Sequence, residues 1–370
     1  MVTILCTVGT SLLGNIKNSK TEAFTQLTLT IENASHIASI LSSYDPSDRN
    51  CGAEVNSLNS LVKLHPDTDL EKLVLFTSDT DDGRLVGAIL KNFFSNQRTK
   101  LNFKTVEVIP VKDLNDNDRQ RFKSSGLRTL VRVMTDSLKQ ARSFGHEVLI
   151  NATGGYKAQI AYATLIGQLL KAPVYYQFER FPEIIEMPVM PVGFDLSLYL
   201  LHAELLNEME DNLIPETDSR LCAAPAALEP MFYREDGKVI LTALGSLYTE
   251  SMRDQFRAMP PLPPASNKSP ADKKIISSHG HHRPRAVEPL IEQLILLDQI
   301  VAVHHEPGQP THRFLEFKTD PDVSVVKAHV RDTAGMNPPC TLVLHTTSRT
   351  IIEQAALRLW LEEKFCNGTP

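Results

Sequence analysis

Two glycine-bearing corners carry the groups best suited to hold an anion. One is Cys6-Thr7-Val8-Gly9-Thr10-Ser11, and the other is Asn151-Ala152-Thr153-Gly154-Gly155-Tyr156-Lys157. Each follows a short apolar run, and the second opens onto a helical pattern. Glycines let backbone N–H groups approach a ligand closely, and a helix start adds unpaired donors and the positive end of the helix dipole. Hydroxyls at Thr10, Ser11 and Thr153 and the ammonium of Lys157 complete the set. Two such corners at strand ends predict a phosphate-bearing ligand in the crevice of an open α/β sheet. The plain alternative is a pair of ordinary strand–helix turns.

A second concentration of chemistry lies near the C-terminus. Of the 12 histidines, His279, His281, His282, His304, His305, His312, His329 and His345 all follow residue 268, so the bias is regional. Arg313, Lys318, Lys327, Arg331 and Arg349 accompany them. Strand periodicity puts Lys327, His329 and Arg331 on one face. A cationic sheet face can grip an RNA backbone and stabilise the charge of a phosphorane. Histidine or lysine then moves protons to and from the 2′-hydroxyl and the leaving 5′-oxygen. No metal is needed for this, because RNA supplies its own nucleophile. The plain alternative is a solvated strand face plus a few core histidines.

These residues need elements to position them. Residues 1–200 alternate short apolar runs with helical patterns, which predicts an α/β fold with a mostly parallel sheet covered on both faces. Expected strands are 3–8, 72–77, 105–110, 147–151, 174–177 and 184–188, with a surface loop at 43–50. Residues 201–258 read as a helical or winged-helix-like connector with short elements around Arg234-Glu235-Asp236-Gly237-Lys238. A proline-rich linker is expected at 259–272, since clustered prolines hold the backbone extended. Residues 273–370 then predict a small α+β domain. It has a short strand at 274–278, a helix at 284–298, strands at 300–305, 312–318, 324–331 and 341–346, and a final helix at 348–365. Short sequential strands of this kind favour an antiparallel sheet closed by helices.

Composition narrows the classes. At 370 residues the chain is long for one domain, and 42% hydrophobic content suffices for ordinary cores. A net charge of -6 argues against nonspecific coating of nucleic acid but leaves room for a local cationic site. The five cysteines have no paired spacing, so a reducing cytosol fits better than a disulfide framework or a zinc ribbon. No apolar run approaches the ~20 residues of a membrane span, and the N-terminus reads as a strand rather than a signal peptide. The expected location is cytoplasmic, with no membrane partner and no cofactor.

The two corners, with Thr77-Ser78-Asp79-Thr80 between them, resemble the CRISPR-associated Rossmann fold (CARF) family over roughly the first 200 residues. The resemblance implies a homodimeric receptor for a cyclic oligoadenylate made during type III CRISPR defence, with cyclic tetra-adenylate favoured. The implied ligand contacts are Gly9, Thr10, Ser11, Thr80, Thr153, Gly154, Gly155 and Lys157. The C-terminal stretch Thr341-Leu342-Val343-Leu344-His345-Thr346-Thr347-Ser348-Arg349 and the helix after it resemble RelE-type mRNA interferases. This implies metal-independent cleavage of mRNA on the ribosome, a partner that would supply much of the substrate binding. Arg349 is then the leading catalytic candidate, followed by Arg313, Lys318, Lys327, His329, Arg331 and His345.

Other readings stay open. Glu316-Phe317-Lys318 with Asp298 upstream has the form of a metal-dependent PD-(D/E)xK nuclease, which EDTA would silence. Residues 220–258 would serve a ligand-gated transcription regulator that shifts DNA without cutting RNA. Thr10, Ser11 and Lys157 would support a ring nuclease acting on the activator itself, alongside either effector.

Overall fold

The computed structural model describes residues 1–19, 21–25, 27–66, 68–96, 101, 103–178, 181, 183–191, 193–274, 287–308, 314–331 and 339–366. Arg313, His279, His281, His282 and His312 lie outside the described residues, as do residues 275–278 of the strand expected at 274–278 and residues 284–286 of the helix expected at 284–298. The chain divides into two compact units, Met1–Phe194 with Glu208–Ser251, and Asp195–Asn207 with Met252–Pro370.

The first unit is built on a six-stranded sheet of β1 (Val2–Thr7), β2 (Leu70–Ser78), β3 (Thr105–Val111), β4 (Glu147–Asn151), β5 (Val174–Gln177) and β6 (Ile184–Met187). The order is β3-β2-β1-β4-β5-β6, parallel throughout except for the antiparallel edge pair β5–β6. Every residue of β1 is buried, as a central strand covered on both faces requires. Its alternation feeds two cores. Ile4 and Cys6 join a cluster under helices Ser11–Asn18, Ala34–Leu41, Gly52–Leu64 and Asp81–Phe94, while Leu5 joins one under helices Leu127–Ser143 and Lys157–Leu169.

Residues 208–251 of the segment expected as a separate connector share this unit, while 201–207 and 252–258 belong to the second. Ala243 and Leu247, near the start of helix Ala243–Ala258, pack in the second cluster, which also holds Val74 and Ile150. Before that helix, β7 (Ile214–Pro215), β8 (Phe232–Glu235) and β9 (Lys238–Leu241) form an antiparallel sheet in the order β7-β9-β8. Asp236 and Gly237 link β8 to β9 with φ of 50° and 72°, the left-handed pair that a two-residue hairpin turn demands.

The second unit carries β10 (Ile300–Pro307), β11 (Leu315–Thr319), β12 (Val325–Val330) and β13 (Cys340–Thr346) in the antiparallel order β10-β13-β12-β11. One face packs Val303, Phe317, Val326, Ala328, Leu342 and Leu344 against helices Glu288–Leu294 and Ile351–Phe365. Buried Gln354 locks the last helix to the β11–β12 connection: its Nε2 donates to the carbonyls of Asp320, Asp322 and Val325 at 2.8, 2.8 and 2.7 Å. The proline-rich stretch is irregular from Pro260 to Ser269 yet packed onto this unit. Leu262 leans on the core, Thr347 donates to the Pro264 carbonyl, and the Ser266 N–H donates to the Asp298 carbonyl.

Candidate functional site

The strand order reverses between β1 and β4, and the two glycine corners leave the carboxyl ends of these neighbouring strands. That is the crevice where open α/β sheets take ligands. The corners touch: a Cβ on Gly9 would come within 2.8 Å of the Gly155 nitrogen, and Gly155 adopts φ of 100°, a conformation that side chains resist. Thr7 Oγ1 donates to the Gly154 carbonyl at 2.6 Å, stitching the first corner to the second.

Helix Gly52–Leu64 supports both corners from below. Glu54 Oε1 accepts the Gly9 N–H at 2.7 Å, and Ser57 Oγ accepts from Asn151 Nδ2 at 2.8 Å. Glu54 is fully buried, and among the described residues its Oε2 has no hydrogen-bond partner. Burial raises its carboxyl above the ordinary value, partly opposed by the Gly9 N–H. The neighbouring Cys6 thiol is pushed well up by burial and then by Glu54. From the other side, buried Gln159 reaches back to accept the Tyr156 N–H at 3.2 Å and donates to the Phe76 carbonyl at 2.9 Å. This fixes the start of helix Lys157–Leu169 against β2.

The expected ligand residues therefore separate by job. The Gly9 N–H already serves Glu54. Thr153 Oγ1 donates to Asn151 Oδ1 and accepts the Gln177 N–H. Thr80 caps helix Asp81–Phe94 by accepting the Gly83 N–H at 3.0 Å. Thr10, Ser11 and Lys157 are exposed at the two helix starts, with Gly154 and Gly155 between them. Sequence reasoning missed Glu54, Ser57 and Gln159. The available signal was Glu54 itself, an acid in line with Leu58 and Leu61 on the buried stripe of its helix.

In the second unit, strand register places Lys318, Lys327, His329, His304, Glu306, Glu316 and His345 on the sheet face opposite the helices. Lys327 and His329 share that face as expected. The face is mixed in charge rather than cationic, because Lys327 pairs with Asp320 at 2.9 Å and Lys318 with Glu316 at 3.3 Å. His329 Nδ1 lies 2.9 Å from Thr341 Oγ1. Burial, then Lys318, holds the His329 imidazole below its usual range. Arg331 follows β12, its N–H donating to the Phe314 carbonyl at 2.9 Å. Exposed Arg349 sits between β13 and the last helix, its N–H donating to Glu353 Oε2 at 2.7 Å. His304 and His345 meet with Nδ1 and Nε2 3.2 Å apart. That contact needed the β10–β13 register, which period-2 patterning does not provide.

Residues 49–190 match the family model described as CRISPR-associated protein (Cas_APE2256). The matched segment runs from the start of helix Gly52–Leu64 past the second corner, so it includes Glu54 and Lys157. Among solved structures, the chain is similar to Enterococcus italicus Csm6 bound to cyclic hexa-2′-fluoro-hexa-dAMP, at 7% identity and TM-score 0.28, covering 70% of this chain and 55% of that one. It is also similar to protein VC1899 from Vibrio cholerae, at 9% identity and TM-score 0.23, covering 70% of each chain. A third is Can2 from Sulfobacillus thermosulfidooxidans in complex with cyclic tetra-adenylate, at 8% identity and TM-score 0.23, covering 72% of this chain and 70% of that one. This chain spans about half the length of the Csm6 chain. Likenesses this distant transfer no function. Among the described residues, no helix is long and apolar enough to cross a membrane.

Proposed function

We propose that the chain is a CARF-type effector of type III CRISPR defence, in which a cyclic oligoadenylate bound at the two corners switches on RNA cleavage by the second unit. The observation that carries this reading is the CRISPR-associated family match over the segment that holds the second corner. The geometry supports it: exposed Thr10, Ser11 and Lys157 surround glycines at a topological switch point, a setting suited to phosphodiesters. A two-fold ring such as cyclic tetra-adenylate fits a homodimer related by the same axis. Phe178, Phe181, Ile185 and Met190, exposed in and around the β5–β6 edge, are apolar surface that a second copy would cover.

The effector reading is RelE-like cleavage of mRNA on the ribosome, in the cytoplasm and without a metal. Arg349 is the phosphate-gripping cation, and Arg313, Lys318, Lys327, His329, Arg331 and His345 are the further catalytic candidates. Pairing of the lysines with Glu316 and Asp320 fits a site that leaves much of its RNA binding to the ribosome. The test is RNA cleavage with and without cyclic tetra-adenylate, on free RNA and on translating ribosomes, for the wild type and Arg349→Ala. Ligand-dependent cutting that survives EDTA and falls about 10²–10³-fold in the variant supports the reading. Full activity in Arg349→Ala, or loss in EDTA, overturns it.

A further inference from the structure

On the open face of the four-stranded sheet, three titratable groups from two adjacent strands stand in a row. His345 of β13 and His304 of β10 are stacked, with ring centroids 4.9 Å apart and planes inclined by 29°. Their facing nitrogens, His345 Nε2 and His304 Nδ1, are 3.2 Å apart, so one ring donates and the other accepts. The far nitrogen of His304, Nε2, faces Glu306 Oε1 at 3.9 Å. A carboxylate at that distance favours a proton on Nε2 of His304. Its Nδ1 is then the acceptor, His345 must donate from Nε2, and the lone pair of His345 is left on Nδ1.

We propose that Glu306, His304 and His345 form a hydrogen-bonded relay in which His345 is the catalytic base of this face, acting on the ribose 2′-hydroxyl of a bound RNA strand. The proposal rests on the ribonuclease reading above and assigns its proton transfer. The three groups present a base without a nucleophile of their own, so the substrate must carry one. A ribose 2′-hydroxyl beside its own phosphodiester meets that requirement.

The step balances without water or metal. His345 Nδ1 takes the 2′-hydroxyl proton as the 2′-oxygen bonds to phosphorus. The bond from phosphorus to the 5′-oxygen breaks, and the imidazolium returns its proton to that oxygen. The products are a 2′,3′-cyclic phosphate and a 5′-hydroxyl. His304 accepts the hydrogen bond that holds the His345 ring, and Glu306, facing the far nitrogen of His304, favours the tautomer that makes this possible and the positive charge formed on His345.

The surroundings suit a base. Burial, then the neighbouring His304, lowers the His345 imidazole below its usual range, which keeps it neutral near physiological pH. Asp322 and Glu306 act in the opposite direction, and Lys268 reinforces the lowering. These are the charges that shape its titration.

The test uses the full chain with activator on RNA and on ribosomes, comparing wild type, His345→Ala, His345→Asn, His304→Ala and Glu306→Gln. Melting curves and activator affinity are followed in parallel. The relay predicts a loss of about 10²–10⁴-fold for both His345 variants. It predicts smaller losses for His304→Ala and Glu306→Gln, accompanied by a displaced acidic limb of the pH–rate profile. A 2′-deoxy residue at the cleaved position should abolish the reaction, and a 2′,3′-cyclic phosphate should be the product. Imidazole NMR on the ligand-free chain supplies a second readout, in which the His345 titration moves up in His304→Ala. If the wild type cuts and folded His345→Asn cuts as fast, or the His345 titration ignores His304→Ala, the relay is overturned. A wild type that cuts no RNA in either setting overturns the ribonuclease reading itself.

Discussion

Replacing Glu54 by glutamine tests the construction of the sensor corner. The Glu54 carboxyl lies under both glycine corners and takes the Gly9 N–H at 2.7 Å. Glutamine keeps an oxygen for that N–H and removes the capacity to ionise. A phosphate gripped by the same turn would sit on the order of 6 Å from the carboxyl, and two unit charges there repel by about 3 kcal/mol at an effective dielectric of about 20. That corresponds to about 100-fold in affinity. Phosphodiesters keep their charge across the working pH range, so the dependence comes from the protein. The wild type should bind cyclic tetra-adenylate best while Glu54 is protonated and lose affinity as pH rises. Glu54→Gln should be flat and tighter at the alkaline end. The ligand-free protein gives an independent check. The folded carboxyl holds its proton to higher pH than the unfolded chain, so its stabilising contribution is present below the unfolded value of about 4.3. It is lost as pH climbs through the raised folded value. Glu54→Gln should therefore lose less stability on the alkaline side. The assays are calorimetric titration and thermal melting, followed upward in pH from the unfolded value of about 4.3, the direction in which burial shifts the folded carboxyl. Superimposable profiles for wild type and variant in both assays would refute the reasoning.

Two further outcomes are expected. Lys157→Ala removes the exposed cation at the start of its helix and should weaken cyclic tetra-adenylate binding about tenfold or more, measured by calorimetry, without lowering the melting temperature. Unchanged affinity would remove the second corner from the ligand site. Gln354→Ala removes a buried donor shared by three carbonyls, of which the contact to Val325 is buried and those to Asp320 and Asp322 are half-buried, and should cost about 1–3 kcal/mol in denaturant unfolding of the C-terminal unit. A loss under about 0.5 kcal/mol would mean that water replaces the amide without penalty.

Much of the architecture was legible because it is written in local periods. Apolar runs at 3–8, 72–77, 105–110 and 147–151 matched β1 to β4 to within a residue or two at each end, clearest for β1, which is buried throughout and nearly continuously apolar. The two glycine corners announced themselves by residue type, and alternation along β12 put Lys327 and His329 on one face. The charge of that face was not legible. Asp320 and Glu316 neutralise the lysines through contacts between side chains whose geometry depends on how the hairpin closes.

Longer-range features belonged to tertiary structure alone. Residues 208–251 of the expected connector joined the first unit because Ala243 and Leu247 found an apolar surface that only the folded sheet and its helices create. Glu54 reads in sequence as an ordinary helix acid. Docking of helix Gly52–Leu64 across 45 residues of chain is what brings its carboxyl to Gly9 and deprives it of water. His304 and His345 are 41 residues apart, and their contact depends on the β10–β13 pairing, including the register shift between Ile300 and Ala302. A one-residue slip would send one ring to the helix side. Sequence period fixes which residues can share a face. Which of them touch, and what charge each then carries, is decided by register and burial.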